Sequence, residues 1–246
     1  MLRTVLAGIV LLVPVLAYGA DVTGCGQVVP PRETGVLQVD LTGCASSAIG
    51  VFLSDRSELD LNGHAIASGA IGVHCAEKHC TVHGPGEIRN AGIHGIMASF
   101  KNARVVVEDA DIHDNGSGGI VATFGKPRID VERVNVRYNE VGIETIFRGR
   151  IFGEDVDASY NRSNGIVAGG RFRFRRLTLL DSGVSAPDPE DDGLICFYGG
   201  GTLIDSTVTG SVGDDLATFR RPRLVDSTCG TSRAPAGGTW GVCTND

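Results

Sequence analysis

Aromatic side chains are scarce in this sequence, at 6% of its 246 residues with a single tryptophan. A hydrophobic core must therefore be built mainly from aliphatic side chains. Helix formers are also scarce, whereas glycine occurs 35 times and Val, Ile and Thr are frequent. Because this composition favours short strands joined by tight turns, the sequence predicts an all-β fold.

After the N-terminus, the sequence lacks any apolar segment that could span a bilayer. Residues 1–20 begin with the basic MLR, continue as the apolar TVLAGIVLLVPVLA, and end on small residues. This pattern is typical of a secretory signal peptide cleaved after Gly19 or Ala20. The alternative is a retained anchor, but the run is short and contains Pro14. We expect a secreted or periplasmic protein with no membrane contact after cleavage.

Basic residues are in the minority, and the formal net charge is −7. Cleavage removes Arg3 and no acidic residue, which leaves −8. Export and this charge argue against nucleic acid as a partner, although a local basic patch is still compatible with them.

Seven cysteines in an exported chain are typical of disulfides with one thiol left over. Their order suggests three pairs and one buried free thiol. These are Cys25 with Cys44, Cys75 with Cys80, Cys229 with Cys243, and Cys196 alone.

A glycine followed by an aliphatic residue recurs at intervals of 22 to 28 residues, and Asp replaces the glycine in the last copy. This regular spacing indicates a solenoid. The copies are Gly50-Val51, Gly72-Val73, Gly95-Ile96, Gly119-Ile120, Gly142-Ile143, Gly165-Ile166, Gly193-Leu194 and Asp215-Leu216.

Within each copy, apolar residues alternate with mixed ones, as expected for strands with one buried face. We predict a single-stranded right-handed parallel β-helix of about eight coils, most of them 22–24 residues long, over residues 50–228. Segments 21–49 and 229–246 would cap its ends with disulfides. Leucine-rich repeats share the period, but leucine does not dominate the buried columns. A left-handed β-helix has shorter coils, and sandwiches or barrels lack such regular spacing.

The stretch CGQVVPPRETGVLQVDLTGCASSAIGVFLSDRSELDLNGHAI resembles the opening of exported right-handed β-helix proteins of the pectin-lyase-like superfamily. The matching features are Cys25-Gly26, Asp40-Leu41 and above all Leu59 to His64, and the repeats extend to about Asp226. The resemblance implies the fold. It leaves function open, because the superfamily includes lyases, polygalacturonases, epimerases, tailspikes and adhesins.

Basic residues recur at nearly the same offset in most repeats. In a parallel stack they would form columns spaced by ~4.8 Å, a suitable surface for a uronate-type acidic polysaccharide. The alternative is a solvated face paired to Glu108, Glu132 and Glu154. The candidate binding residues are Lys101, Lys126, Arg128, Arg148, Arg150, Arg171, Arg173, Arg221 and Arg223, with Arg104 beside them.

Aromatic residues come just before these basic positions, and we expect them to form an internal stack rather than a sugar-stacking platform. They are Phe100, Phe124, Phe147, Tyr198 and Phe219.

Two acidic pairs one coil apart, Asp191-Asp192 and Asp214-Asp215, are the candidate catalytic residues. Adjacent carboxylates can act as acid and base, and they can also hold calcium, the one cofactor that the sequence suggests. The alternative is a solvated acidic loop. The Gly-His-Gly element of polygalacturonases is absent, and all six histidines precede residue 114.

The histidines His64 to His113 cluster without an evident metal site, because a Cys75–Cys80 disulfide would remove the sulfur ligands. We therefore expect a monomeric protein that binds an acidic polysaccharide. A polysaccharide lyase, hydrolase or epimerase is the first alternative, and a non-catalytic structural or adhesin-like protein is the second.

Overall fold

A computed structural model describes residues 19–183, 191–235 and 237–246. These residues form a parallel β-solenoid of about nine turns without a helix, which confirms the predicted all-β solenoid. No helix in these ranges is long and apolar enough to cross a membrane. Most of the predicted signal peptide, residues 1–18, lies outside them.

Short strands account for the whole solenoid, and they are numbered here in chain order. The first thirteen are β1 (Ala20–Val22), β2 (Gln27–Val29), β3 (Thr34–Leu37), β4 (Ile49–Leu53), β5 (Ser57–Asp60), β6 (Ala65–Ile66), β7 (Ile71–Cys75), β8 (His79–His83), β9 (Glu87–Arg89), β10 (His94–Ala98), β11 (Arg104–Glu108), β12 (Asp111–His113) and β13 (Gly118–Ala122). The others are β14 (Arg128–Arg137), β15 (Val141–Thr145), β16 (Arg150–Asp157), β17 (Ile166–Ala168), β18 (Arg171–Leu180), β19 (Leu194–Cys196), β20 (Gly201–Ile204), β21 (Thr207–Thr209), β22 (Leu216–Thr218), β23 (Arg223–Val225), β24 (Thr228–Cys229) and β25 (Ser232–Arg233).

The strands form three faces, and all their pairings are parallel. Face I is a ten-stranded sheet in the order β2-β4-β7-β10-β13-β15-β17-β19-β22-β25. Face II follows the order β1-β3-β5-β8-β11-β14-β16-β18-β20-β23. Face III contains β6, β9, β12, β21 and β24 and the second halves of β14, β16 and β18. The longest strands bend between faces II and III, where Arg133, Asp155 and Arg176 have positive φ.

The structure has one turn more than the sequence predicts. Gln27 of β2 pairs directly with Val51, so β2 occupies the position of a repeat. The periodic pattern missed this turn because Gln27 is polar where later turns have a buried aliphatic residue.

The predicted buried columns form the core. Val73, Ile96 and Ile120 lie in direct register on face I with no exposed surface. The glycine before each of them is also required, because a Cβ on Gly72 would lie 2.7 Å from the carbonyl oxygen of Gly95. The Gly-aliphatic marker therefore reflects close backbone approach between turns.

The turn between faces III and I is held by an asparagine ladder. The Asn139 side-chain oxygen accepts the backbone N–H of Asn115 at 3.0 Å, and Asn161 does the same for Asn139 at 3.1 Å. Asn115 and Asn161 begin glycosylation sequons, but both side chains are fully buried and hydrogen-bonded, so neither can carry a glycan in the folded protein.

All three predicted disulfides are present, and Cys196 is the buried free thiol. The Cys25–Cys44 and Cys229–Cys243 bonds lie near the two ends of the solenoid. The Cys75–Cys80 bond links β7 of face I to β8 of face II. Three disulfides are consistent with an extracellular or periplasmic protein.

Candidate functional site

The turn between faces I and II carries a row of exposed aromatic rings, which we call the turn ridge. The rings are Phe100, Phe124, Phe147, Tyr198 and Phe219, and their exposed fractions range from 39% to 62%. The predicted internal stack is therefore wrong. The inner side of the corner is filled by small residues, such as the fully buried Ala98 and Ala103, which leaves no room for a ring. Phe197, which is 51% exposed, adds a ring that sequence analysis missed.

Cations alternate with these rings on the turn ridge. Within the described residues, none of them has a carboxylate oxygen within 4.0 Å. Their charge is therefore available to a ligand. They are Lys101, Lys126, Arg148, Arg220 and Arg221.

A groove of about 910 Å³ lies along the turn ridge. The rings of Phe124, Phe147 and Tyr198 and the side chains of Lys101, Lys126, Arg148 and Ser99 line it. One turn contributes only Gly169 and Gly170, which interrupts the row between Phe147 and Tyr198. A Cβ on Gly170 would lie 2.7 Å from the carbonyl oxygen of Arg148, so this gap cannot hold a side chain.

Face II carries the other predicted basic residues in two columns rather than one. Arg104, Arg128, Arg150 and Arg171 pair directly from turn to turn in the first column. The second column contains Arg173 and Arg223, separated by Thr202.

Two arginines of the first column form ion pairs with a carboxylate, and the other two form none within the described residues. Arg104 and Arg128 both form ion pairs with Asp130, at 2.8 and 2.7 Å, and Arg128 also lies over the ring of Phe152 at 4.4 Å. Among the residues that the structure describes, no carboxylate lies within 4.0 Å of Arg150, Arg171, Arg173 or Arg223. The free charge therefore concentrates in the C-terminal half of face II.

The acids expected to neutralise the basic columns pair elsewhere. Glu132 pairs with Arg133. Glu154 pairs with Arg176 at 2.6 Å and with Arg175 at 3.8 Å, and Glu108 pairs with His83 at 3.2 Å. These partners lie outside the two basic columns, either on face II at His83 and Arg175 or at the bend at Arg133 and Arg176. The three acids therefore leave the charge of both columns unchanged.

The four aspartates named as catalytic candidates lie in the turns that lead into β19 and β22. Asp192 is fully buried, and its Oδ1 accepts the backbone N–H of Asp214 at 2.7 Å. Asp215 accepts the backbone N–H groups of Ser211 and Thr231 at 3.0 and 2.9 Å. Both carboxylates therefore hold the backbone of neighbouring turns.

Arg233 joins the two acidic pairs at the C-terminal end. It contacts Asp192 and lies 3.2 Å from a carboxylate oxygen of Asp214. Burial raises the pKa of Asp192 to about 6 despite this partner. In the described ranges, no group of three or more His, Cys, Asp or Glu side chains is placed to hold a metal ion.

A second groove of about 630 Å³ lies on face I, and its charged lining residues are Glu144, Asp191 and Arg233, among apolar and uncharged polar residues. Glu144 stands between Val121 and Val167 in direct register, and burial raises its pKa. Sequence analysis missed Glu144. It could have been found in the sequence as an acid at a position where the preceding and following repeats have the apolar Val121 and Val167.

The histidines are distributed over separate contacts. His64, His79, His83 and His113 each lie near a different carboxylate. His94 accepts the backbone N–H of Gly118 at 3.1 Å, and His74 contacts Ser99.

Comparisons with protein-family models, curated proteins and solved structures found no match for this chain.

Proposed function

We propose that this is a secreted protein that binds an anionic, uronate-type polysaccharide along the turn ridge and the free basic residues of face II. The observation that carries the proposal is the alternation of exposed rings with unpaired cations on successive turns. Aromatic faces stack on the apolar faces of sugar rings, and arginine forms bidentate hydrogen bonds to carboxylates.

The spacing of the turns supports a polymer rather than a small anion. Neighbouring strands lie ~4.8 Å apart, a distance comparable to the advance of an extended polysaccharide by one sugar. The turns of Phe100, Phe124 and Phe147 can therefore each meet one sugar with a ring and a cation. The resemblance of Leu59 to His64 to the pectin-lyase-like superfamily, many of whose members act on uronates, adds support.

Retention on immobilised polygalacturonate and alginate at low and high salt tests this proposal. We expect binding at low salt that weakens as salt rises, because the contacts are largely ionic. The double variant Arg150→Glu/Arg173→Glu should lose retention. Arg89→Glu/Arg137→Glu makes the same total charge change at two cations that already pair with Glu87 and Asp111, and it should keep retention. Equal retention of both variants, or no retention of the wild-type protein, contradicts the proposal.

Cleavage of the polysaccharide is a second candidate function, favoured by Glu144 in the face I groove, which Asp191 also lines. A carboxyl group with a raised pKa is suited to donate a proton to a leaving sugar oxygen. The release of new reducing ends, or of unsaturated uronate absorbance, from polygalacturonate and alginate tests it. Glu144→Gln should abolish either signal and keep binding, whereas Glu140→Gln, at a partly exposed acid paired with Arg162, should change neither.

A further inference from the structure

A serine and a histidine form a close pair beside the turn-ridge groove. Ser99 follows β10, and His74 lies in β7 on the preceding turn. The Ser99 Oγ and the His74 Nε2 are 2.7 Å apart, within the range of a nucleophile and its general base. Phe52 contacts the imidazole edge to face, with ring centroids 5.7 Å apart, and so restricts its orientation.

The protonation of His74 suits a base. Burial lowers the pKa of this imidazole, so it is neutral at pH 7 and can accept the Ser99 proton. Its other nitrogen, Nδ1, is buried without a hydrogen-bond partner among the described residues. An unpaired buried polar atom costs about 1–3 kcal/mol. When Nε2 accepts the Ser99 proton, Nδ1 carries the proton of the neutral ring.

The position of Ser99 gives the pair access to a ligand. Ser99 lines the same groove as Lys101, Lys126 and Phe124. The ammonium groups of the two lysines have no carboxylate within 4.0 Å among the described residues. They can therefore stabilise negative charge that develops on a bound substrate.

The geometry points to an acyl-ester hydrolase site in which Ser99 is the nucleophile, His74 is the general base, and the substrate is an O-acylated sugar of the bound polysaccharide. This substrate assignment rests on the proposed function. The Ser99 Oγ bonds to the ester carbonyl carbon as its proton passes to His74 Nε2. The bond from that carbon to the sugar oxygen then breaks, and the oxygen takes the proton from His74. Water hydrolyses the acyl-serine, which releases the carboxylic acid and restores Ser99.

Reaction with reagents that contain no sugar tests the pair directly. A fluorophosphonate probe should label Ser99 of the wild-type protein, and peptide mass spectrometry locates the label. Ser99→Ala should abolish labelling and p-nitrophenyl acetate hydrolysis, and His74→Gln should slow both by about 10²–10⁴-fold. Ser54 directly follows β4, as Ser99 follows β10 two turns later. No histidine of the described residues is hydrogen-bonded to the Ser54 side chain, so Ser54→Ala is the matched control.

Thermal unfolding of each variant shows whether the fold is intact. Failure of the wild-type protein to label at Ser99, or equal hydrolysis by wild type and Ser99→Ala, overturns the proposal. Because the reagents need no glycan contact, this result is independent of retention on polygalacturonate. A wild-type protein that is labelled at Ser99 but is not retained on polygalacturonate would instead overturn the proposed polysaccharide binding. The wild-type protein should release acetate from acetylated polygalacturonate, and the Lys101→Ala/Lys126→Ala variant should release less. This result would identify an acetylated sugar as the substrate.

Discussion

Arg150 and Arg171 occupy directly paired positions on neighbouring strands of face II, and no described carboxylate lies within 4.0 Å of either guanidinium. Like charges at paired positions are destabilising, so the arrangement lowers stability unless an anion binds there. Arg104 and Arg128, in the same column, share Asp130 instead.

Replacing one of these arginines by an acid should separate stability from function. Arg171→Glu converts a repulsive pair into an attractive one, and we expect the free energy of unfolding to rise by about 0.2–1 kcal/mol at low salt. Retention on polygalacturonate should fall in the same variant. Urea unfolding at two salt concentrations measures the first effect, which high salt should reduce. An Arg171→Glu variant that is no more stable than the wild-type protein at low salt contradicts the ion-pair argument.

The exposed rings of the turn ridge should matter for binding and little for folding. Phe124→Ala and Phe147→Ala remove rings that are 51% and 56% exposed, so the free energy of unfolding should change by no more than about 0.5 kcal/mol. Their retention on polygalacturonate should nevertheless decrease.

The buried Phe174→Ala is the control, because it should cost about 3–5 kcal/mol. If the Phe124 and Phe147 variants unfold as easily as the Phe174 variant, the rings are structural. If they keep full retention, the turn ridge does not stack on sugars.

The core could be predicted from the sequence because inward and outward side chains alternate along an extended strand. Phe172 and Phe174 point inward and Arg171 and Arg173 outward, as their order along one extended strand requires. The repeat period then places equivalent residues in register, and Val73, Ile96 and Ile120 confirm this.

The turn ridge could not be predicted in this way, because the alternation ends where the strand ends. Phe147 lies in a turn with a φ of 59°, and its direction depends on that turn rather than on the preceding strand. The ion pairs escaped prediction for a related reason. Glu154 pairs with Arg176, whose φ of 55° at the bend brings its guanidinium back towards the acid.

The glycines that precede the buried aliphatic residues of the repeats should tolerate alanine far less than a glycine with open space at its Cβ position. In Gly72→Ala the new methyl group would meet the Gly95 carbonyl oxygen at 2.7 Å and the Ile88 side chain at 2.5 Å. We expect a loss of about 1–3 kcal/mol in the free energy of unfolding, because the turns would have to separate. A Cβ on Gly43 meets nothing within 4 Å, so Gly43→Ala is the matched control and should be neutral or slightly stabilising. Equal stability of the two variants would show that close backbone approach between turns is not the reason for glycine at position 72.

Asp192 should make stability depend on pH in the acidic range. Its pKa is about 6 in the folded protein against an ordinary value of 3.8, so the folded state binds the proton more tightly than the unfolded state does. The resulting stabilisation is complete below pH 3.8 and is lost as the pH rises to about 6. Arg233 and Asp214 are the charged groups next to this carboxylate. Burial raises its pKa, the positive charge of Arg233 lowers it, and the negative charge of Asp214 raises it.

Asp192→Asn keeps the shape of the side chain and removes its titration. The free energy of unfolding of the variant, relative to that of the wild-type protein, should therefore increase from pH 4 to pH 7. The upper limit of this increase is about 3 kcal/mol, because each pKa unit is worth about 1.4 kcal/mol. Urea unfolding at intervals across this range measures the difference. A constant difference would mean that Arg233 offsets the burial of Asp192 completely and that the carboxylate is ionised throughout.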